Sequence, residues 1–176
     1  EEHSPRKGLH PMMNISGFQS GVPVSENAFT GLQVSNIMSY LPIIDSYESN
    51  IYNDNNGNYN GMDLKKHNTE DNHYTIFSLW DTFRATHPLF TIVNIQRTNE
   101  FIRTLLRQYK DGGKLPIWEL AANYTNCMIG YHSIPVIVDA YVKGIRDWDA
   151  ELALEAMIKS AQSDEHGLKA YKKNGF

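Results

Sequence analysis

The chain has 176 residues, with hydrophobic types at 41% and charged types at 20%, a balance that fits one globular domain with a sizeable core and not a disordered chain. Its formal net charge of -4 carries no clustered cationic excess, which argues against a nucleic-acid groove. A single cysteine, Cys127, excludes an internal disulfide framework and a cysteine-rich zinc site, and no apolar run approaches the roughly 20 residues that span a bilayer.

Residues 1–46 show no sustained helical or strand period, and stretches such as GFQSGVPVSENAFTG are punctuated by Gly, Ser, Pro and Asn. An irregular or β-containing segment is expected there. The opening EEHSPRKGLHP has no apolar h-region and no initiator Met, and the last residues, AYKKNGF, stop on Asn174-Gly175, so a piece of something longer is expected. Residues 50–61, NIYNDNNGNYNG, read as a polar loop dense in turn formers. Asp54, Asn56, Asn58 and Asn60 alternate like calcium ligands, but the sixth position of that template is Tyr59 and the twelfth Lys65. A solvated turn is the favoured reading.

From Tyr74 the pattern turns helical. Phe77, Trp80 and Phe83 recur at helical spacing until Pro88 interrupts them. RTNEFIRTLLRQYKDGG predicts an amphipathic helix with Thr98 as N-cap and Gly112-Gly113 as its end. Residues 125–143 predict a buried, mostly apolar helix kinked or restarted at Pro135. DAELALEAMIKSA places Asp149 at an N-cap, with Ala150, Ala153, Leu154, Met157, Ile158 and Ala161 on one stripe. With no period-2 strands after residue 74, the expected class is mainly α.

Chemistry is sparse. Asp81 follows Trp80 and precedes Arg84 by three residues, so the two charges are able to pair on one helix face. The functional alternative is a wall for a sugar, with Trp80 as a flat apolar face and Asp81 and Arg84 bonding hydroxyls. The seven histidines form no metal-ligand spacing, and His132 reads as a core histidine. Cys127 reads as a buried, inert residue. No GxSxG, P-loop or GxGxxG motif occurs.

Four blocks nevertheless add up: NIYNDNNGNYNGMD, YTIFSLWDTFRATHPLFTIV, GGKLPIWELAANYTNCMIGYHSIPVIVDAYVKGI and DAELALEAMIKSA. In this order the chain from Tyr47 onward resembles the calcium-dependent α-1,2-mannosidases of glycoside hydrolase family 92. The resemblance implies a β-sandwich followed by an (α/α)6 barrel, with residues 47–176 as the first part of that helical catalytic domain. It implies removal of terminal α-linked mannose from glycans with inversion, assisted by a calcium ion on the sugar hydroxyls, in a secreted, periplasmic or cell-surface protein. The family's general acid is a Glu in Asn-Glu-Thr, and here the motif reads Asn123-Tyr124-Thr125.

The resemblance thus puts Tyr124 at the acid position and Trp80, Asp81, Arg84, Asn123 and His132 in the substrate wall, all near one end of the helices. A phenol with a reference pKa of about 10 is a far weaker proton donor than a Glu at about 4.3. The family's base carboxylates lie downstream of Phe176. No metal ligands are assigned, tight calcium binding is not expected, and the partners are a mannose-containing glycan and the remainder of a longer mannosidase. The alternatives are a non-catalytic glycan-binding module, with Tyr124 and Trp80 as stacking surfaces, and a helical interaction domain.

Overall fold

The structure is a computed structural model that describes residues 50–165 and 167–175, all within the unit Glu48–Phe176. The expectations for residues 1–46 lie outside the described residues. About half of what is described is helix, in six helices, and the strands are short.

The chain enters through β1 (Asn50–Ile51), then a hairpin of β2 (Asn58–Asn60) and β3 (Lys66–Asn68), paired Asn58 with Asn68 and Tyr59 with His67. Asp54 organises the turn before β2: its Oδ1 accepts from the Asn56 and Asn58 amides at 2.8 and 2.9 Å. β4 (Tyr74–Thr75) closes on β1, and after Ile76 the chain enters β5 (Phe77–Ser78). β5 then joins β6 (Trp118–Leu120) and β7 (Asn123–Tyr124) in an antiparallel sheet of order β5-β6-β7. These strands correct the expectation of an all-helical stretch after Tyr74: two- and three-residue strands are too short to print a period on the sequence.

α1 (Leu79–Thr82) and α2 (Thr86–Val93) follow β5, so Phe77 belongs to a strand and not to the helix of Trp80. Pro88 sits in the first turn of α2, where its missing N–H would have had no intrahelical partner. α3 (Ile95–Gly112) is capped by Asn94, whose side chain accepts from the Arg97 amide at 3.0 Å, while Thr98 lies buried inside the helix. It ends where Gly113 adopts φ 81°, a left-handed cap that glycine takes without strain. α4 is only Ser133–Val142, and Pro135 stands in its first turn. α5 (Ala150–Ala161) is capped by Asp149, accepting from Leu152 N at 2.9 Å, and α6 is Leu168–Asn174.

α3 is the spine, touching α2, α4 and α5. Its Phe101 ring packs against Tyr74, Phe77, His87 and Phe90 at centroid distances of 5.0, 5.5, 5.5 and 5.7 Å, all close to perpendicular. That geometry sets positive ring edges on a negative ring face, adding about 0.5–1.5 kcal/mol per pair to the burial itself. α5 faces inward with Ala153, Ala156 and Ser160, not with its larger side chains: Leu154 and Ile158 remain exposed. Small residues let the helix lie close, so that Ser160 Oγ accepts from Leu115 N at 2.9 Å.

His87 is buried against Phe101, and desolvation lowers its pKa from 6.5 to about 4. His73 is likewise lowered to about 3 by burial and then by the neighbouring Arg107 charge. Both imidazoles are neutral when folded and take up protons when unfolded. The unfolded chain therefore binds more protons below 6.5, and stability falls as pH drops from there toward about 4. Above that window they add no pH dependence. Thermal melts from pH 7 to pH 4 should show this loss, and His87→Gln, which cannot charge, should make the curve shallower. An unchanged slope in His87→Gln would place the titration elsewhere.

Candidate functional site

Trp80 sits in the first turn after β5, half-buried, with the Arg84 guanidinium 5.1 Å above its ring. Arg84 also covers Phe83 at 4.9 Å, and its Nε donates to the Trp80 carbonyl at 3.2 Å. The helical i, i+4 spacing brings the guanidinium back over the ring that precedes it. The expected Asp81–Arg84 pair is not made. Asp81 accepts instead from Ser78 Oγ at 2.7 Å, which closes the start of α1, and its carboxylate remains exposed.

His132 meets this cluster from the other side. Its ring packs against Trp80 at 5.0 Å, edge to face, and against Phe83 at 4.4 Å. It is the N-cap residue of α4, not an interior helical residue as its sequence position suggested. Burial, and after it the Arg84 charge, hold its pKa below the ordinary histidine range, so the ring is neutral near pH 7.

The segment 125–132 that precedes it is a loop, correcting the expected helix over 125–143. Asn126, Met128 and Gly130 have φ of 52°, 66° and 90°, incompatible with a right-handed helix. The sheet is one reason: Thr125 N donates to the Trp118 carbonyl at 3.3 Å, extending the ladder past β7, and Thr125 Oγ1 donates to the same carbonyl at 2.8 Å. His132 is another, because a Cβ on Gly130 would stand 2.3 Å from its Cε1. In the same loop Cys127 is exposed, not buried.

Asn123 and Tyr124 follow the β6–β7 turn, and the pleat divides them. Register pairs Phe77 with Glu119 and Glu119 with Tyr124, so these three share one face; Ser78, Trp118, Leu120 and Asn123 belong to the other. Asn123 is exposed, its side-chain amide donating to the Ala121 carbonyl at 2.9 Å. Tyr124 is half-buried, with the Lys114 ammonium 4.1 Å from its ring centre and Lys114 paired with Glu165. Burial, followed by the Glu165 charge, pushes the phenol up to about 12. Its ring lines a cavity of about 240 Å³ with Lys114, Ile117, Met128, Tyr131 and Glu165.

The structure thus brings Trp80, Arg84 and His132 into contact and sets Asp81 beside them through Ser78. Asn123 and Tyr124 stand two strands away in the same sheet, and Tyr124 turns to the core face.

Sequence reasoning passed over Glu119. It is 1% exposed, and its carboxylate accepts from Thr75 Oγ1 at 2.8 Å, Ala122 N at 2.7 Å and Ile76 N at 3.2 Å. Desolvation pushes its carboxyl above the usual range, against the pull of those hydrogen bonds. Its alternation with Trp118 in WEL was the one signal available. Among the described residues no group of three or more His, Cys, Asp or Glu is arranged to hold a metal ion.

The helical scaffold with its inserted sheet is that of a glycoside hydrolase catalytic domain: residues 46–176 match the Glycosyl hydrolase family 92 catalytic domain. The chain belongs to that family. Among solved structures it is similar to the family GH92 alpha-mannosidase BT3965 of Bacteroides thetaiotaomicron, with 38% identity and a TM-score of 0.65 over 69% of this chain and 17% of that one. The same enzyme in complex with mannoimidazole gives 37% identity and a TM-score of 0.66, over 69% of this chain and 17% of that one. The inverting mannosidase BT2199 of the same organism gives 36% and 0.54, over 65% of this chain and 16% of that one. The chain therefore spans less than a fifth of the length of these relatives. No curated protein matches the chain.

Gly130→Ala should disturb the Trp80–His132 contact, since the added methyl collides with the imidazole and the backbone there is left-handed. The expected result is a loss of about 1–3 kcal/mol of stability and a shifted His132 ring resonance in NMR spectra. An unshifted ring would show that the glycine does not set its position.

Proposed function

We propose that this chain is part of an exo-acting α-mannosidase that removes terminal α-linked mannose from glycans with inversion at the anomeric carbon. The observation that carries this reading is the family membership of residues 46–176, supported by likeness to an α-mannosidase whose structure holds mannoimidazole. In this reading the helices are the first part of an (α/α)6 barrel, and the protein works outside the cytoplasm: secreted, periplasmic or at the cell surface.

Trp80 offers its ring to the C–H face of a sugar, while the exposed Asp81 carboxylate and Asn123 amide hydrogen-bond hydroxyls. Arg84 and the neutral His132 fix the orientation of that ring. Inversion needs two carboxyl groups about 6.5–9.5 Å apart, one to protonate the leaving oxygen and one to activate water. At the acid position stands Tyr124, a phenol with its pKa near 12, which donates a hydrogen bond but gives up a proton poorly. Glu119 does not replace it, because both its oxygens are already engaged and it has no access to solvent. The base belongs to the remainder of a longer mannosidase.

Calcium in this family acts on sugar hydroxyls. The described residues do not fit a calcium site of their own: no group of three or more His, Cys, Asp or Glu among them is arranged to hold an ion, and Asp54 is occupied by the backbone of its own turn. Tight calcium binding by this chain is not expected, and calorimetric titration should show no sub-micromolar site.

A second reading is favoured by the neutral phenol itself: a non-catalytic module that binds mannose-containing glycans. Hydrolysis assays separate the two. The chain alone should release no mannose above background, and Tyr124→Glu should not rescue it while the base is missing. In a longer form that supplies the base, Tyr124→Glu should raise turnover by about 10²–10⁴ for leaving groups that need protonation, and much less for those that do not. Equal gains for both would mean that Tyr124 is not at the acid position. No gain in the longer form would favour the binding module.

A further inference from the structure

The geometry points to Glu119 as the positioning residue of the candidate site: its buried carboxylate holds two strained turns, and these aim Trp80–Asp81 from one side and Asn123–Tyr124 from the other. The significance of that aim rests on reading those residues as a sugar site.

The strain sits at three residues. Ile76, between β4 and β5, has φ 67°, a conformation in which a β-branched side chain is a true outlier. It turns the chain out of the β1–β4 pair and into the β5-β6-β7 sheet. Ala121 and Ala122, with φ 48° and 66°, form the two-residue connection between β6 and β7. Positive φ at both places is the type I′ pattern, whose preferred sequence is Asn-Gly because alanine is disfavoured there.

Two of the three strained amides donate to one carboxylate, and the third reaches it through a threonine hydroxyl. Ile76 N donates to Glu119 Oε2 at 3.2 Å, and Ala122 N to Oε1 at 2.7 Å. Ala121 N donates to Thr75 Oγ1 at 2.6 Å, and that hydroxyl donates onward to Oε1 at 2.8 Å. A buried carboxylate needs donors of some kind. Here the backbone donors are the residues whose conformation is least favourable without help. Each turn leads directly into the candidate site: β5 runs into α1 with Trp80 and Asp81, and Ala122 precedes Asn123. Glu119 itself, buried from solvent, acts through these turns and touches no ligand.

Glu119→Gln tests this, because it keeps the shape but leaves one acceptor oxygen where the turns need two, setting an NH₂ against the donors of one side. Amide hydrogen exchange followed by NMR should speed up at least tenfold at Ile76, Ala121 and Ala122, with the α5 amides unchanged. Binding of methyl α-mannoside should weaken at least tenfold. Adding Ala122→Gly should then restore binding toward the parent value, since glycine holds that φ unaided. If Glu119→Gln fails to fold, Thr75→Val and Thr75→Ser take its place: the valine should accelerate exchange at Ala121, the serine should not. Uniform acceleration through α3 and α5, unchanged exchange at the three amides, or no recovery with glycine would overturn the proposal. Absence of methyl α-mannoside binding by the unmutated chain would overturn the sugar-site reading instead, and the exchange pattern would still decide the role of Glu119.

Discussion

The fold depends on the ring of Phe101. Strands β4 and β5 and helix α2 each place a ring nearly perpendicular to it, so three otherwise separate segments are registered on α3 by one side chain. The strands bring few ladder hydrogen bonds of their own, because each is two residues long. Their position is therefore a consequence of aromatic packing on a helix, not of sheet formation. Tyr74 reinforces it with a 2.5 Å hydrogen bond from its hydroxyl to Oε2 of Glu100, the residue before Phe101 on the same helix.

Polar groups extend this registration outward. Arg107, also on α3, donates to Asp71 at 3.0 Å, to the Asn72 carbonyl at 2.6 Å and to His73 Nδ1 at 3.2 Å. That last bond requires a neutral imidazole with its proton on Nε2, in keeping with the depressed pKa of His73. His73 in turn stacks on Tyr59 of β2 at 3.9 Å, which seats the Asn-rich hairpin. A half-buried guanidinium with several fixed acceptors is costly to leave half-satisfied, so the segment before β4 is held in one arrangement. Through Tyr74 and Thr75 that arrangement reaches Glu119 and the sheet that carries the candidate site.

The site is accordingly built on two supports of different kind. Trp80, Phe83, Arg84 and His132 are held by ring contacts at the junction of α1 and α4. Asn123 and Tyr124 are held by the sheet, and its pleat sends one toward solvent and the other toward the core. A carboxylic acid in place of the Tyr124 phenol would stand beside the Lys114–Glu165 pair, where the ammonium favours its ionised form and the neighbouring carboxylate the protonated one. The phenol, in contrast, keeps a single protonation state across the physiological range.

The sequence by itself determined the long helices and the family. α3 and α5 were legible because each carries apolar residues at helical spacing over several turns and one local boundary signal, the Gly113 end for α3 and the Asp149 N-cap for the start of α5. The ordered blocks around Trp80, Asn123 and Ala150 were legible as glycoside hydrolase family 92. Only the tertiary structure decided the sheet, the 125–132 loop and Glu119. Ala121-Ala122 carries no turn signal, since alanine is disfavoured in a left-handed conformation and is held there by bonds to Thr75, a distant residue, and to Glu119. The loop reads as a helix because Met128 and Ile129 are apolar, yet Ile129 is 71% exposed: local composition does not report which way a chain turns when a histidine must fit over a glycine. Glu119 looks like any strand-side carboxylate until Thr75 and Ile76, more than forty residues earlier, fold onto it. Periodic, short-range features are written in the order of residues, whereas strain and the contacts that sustain it exist only once distant segments meet.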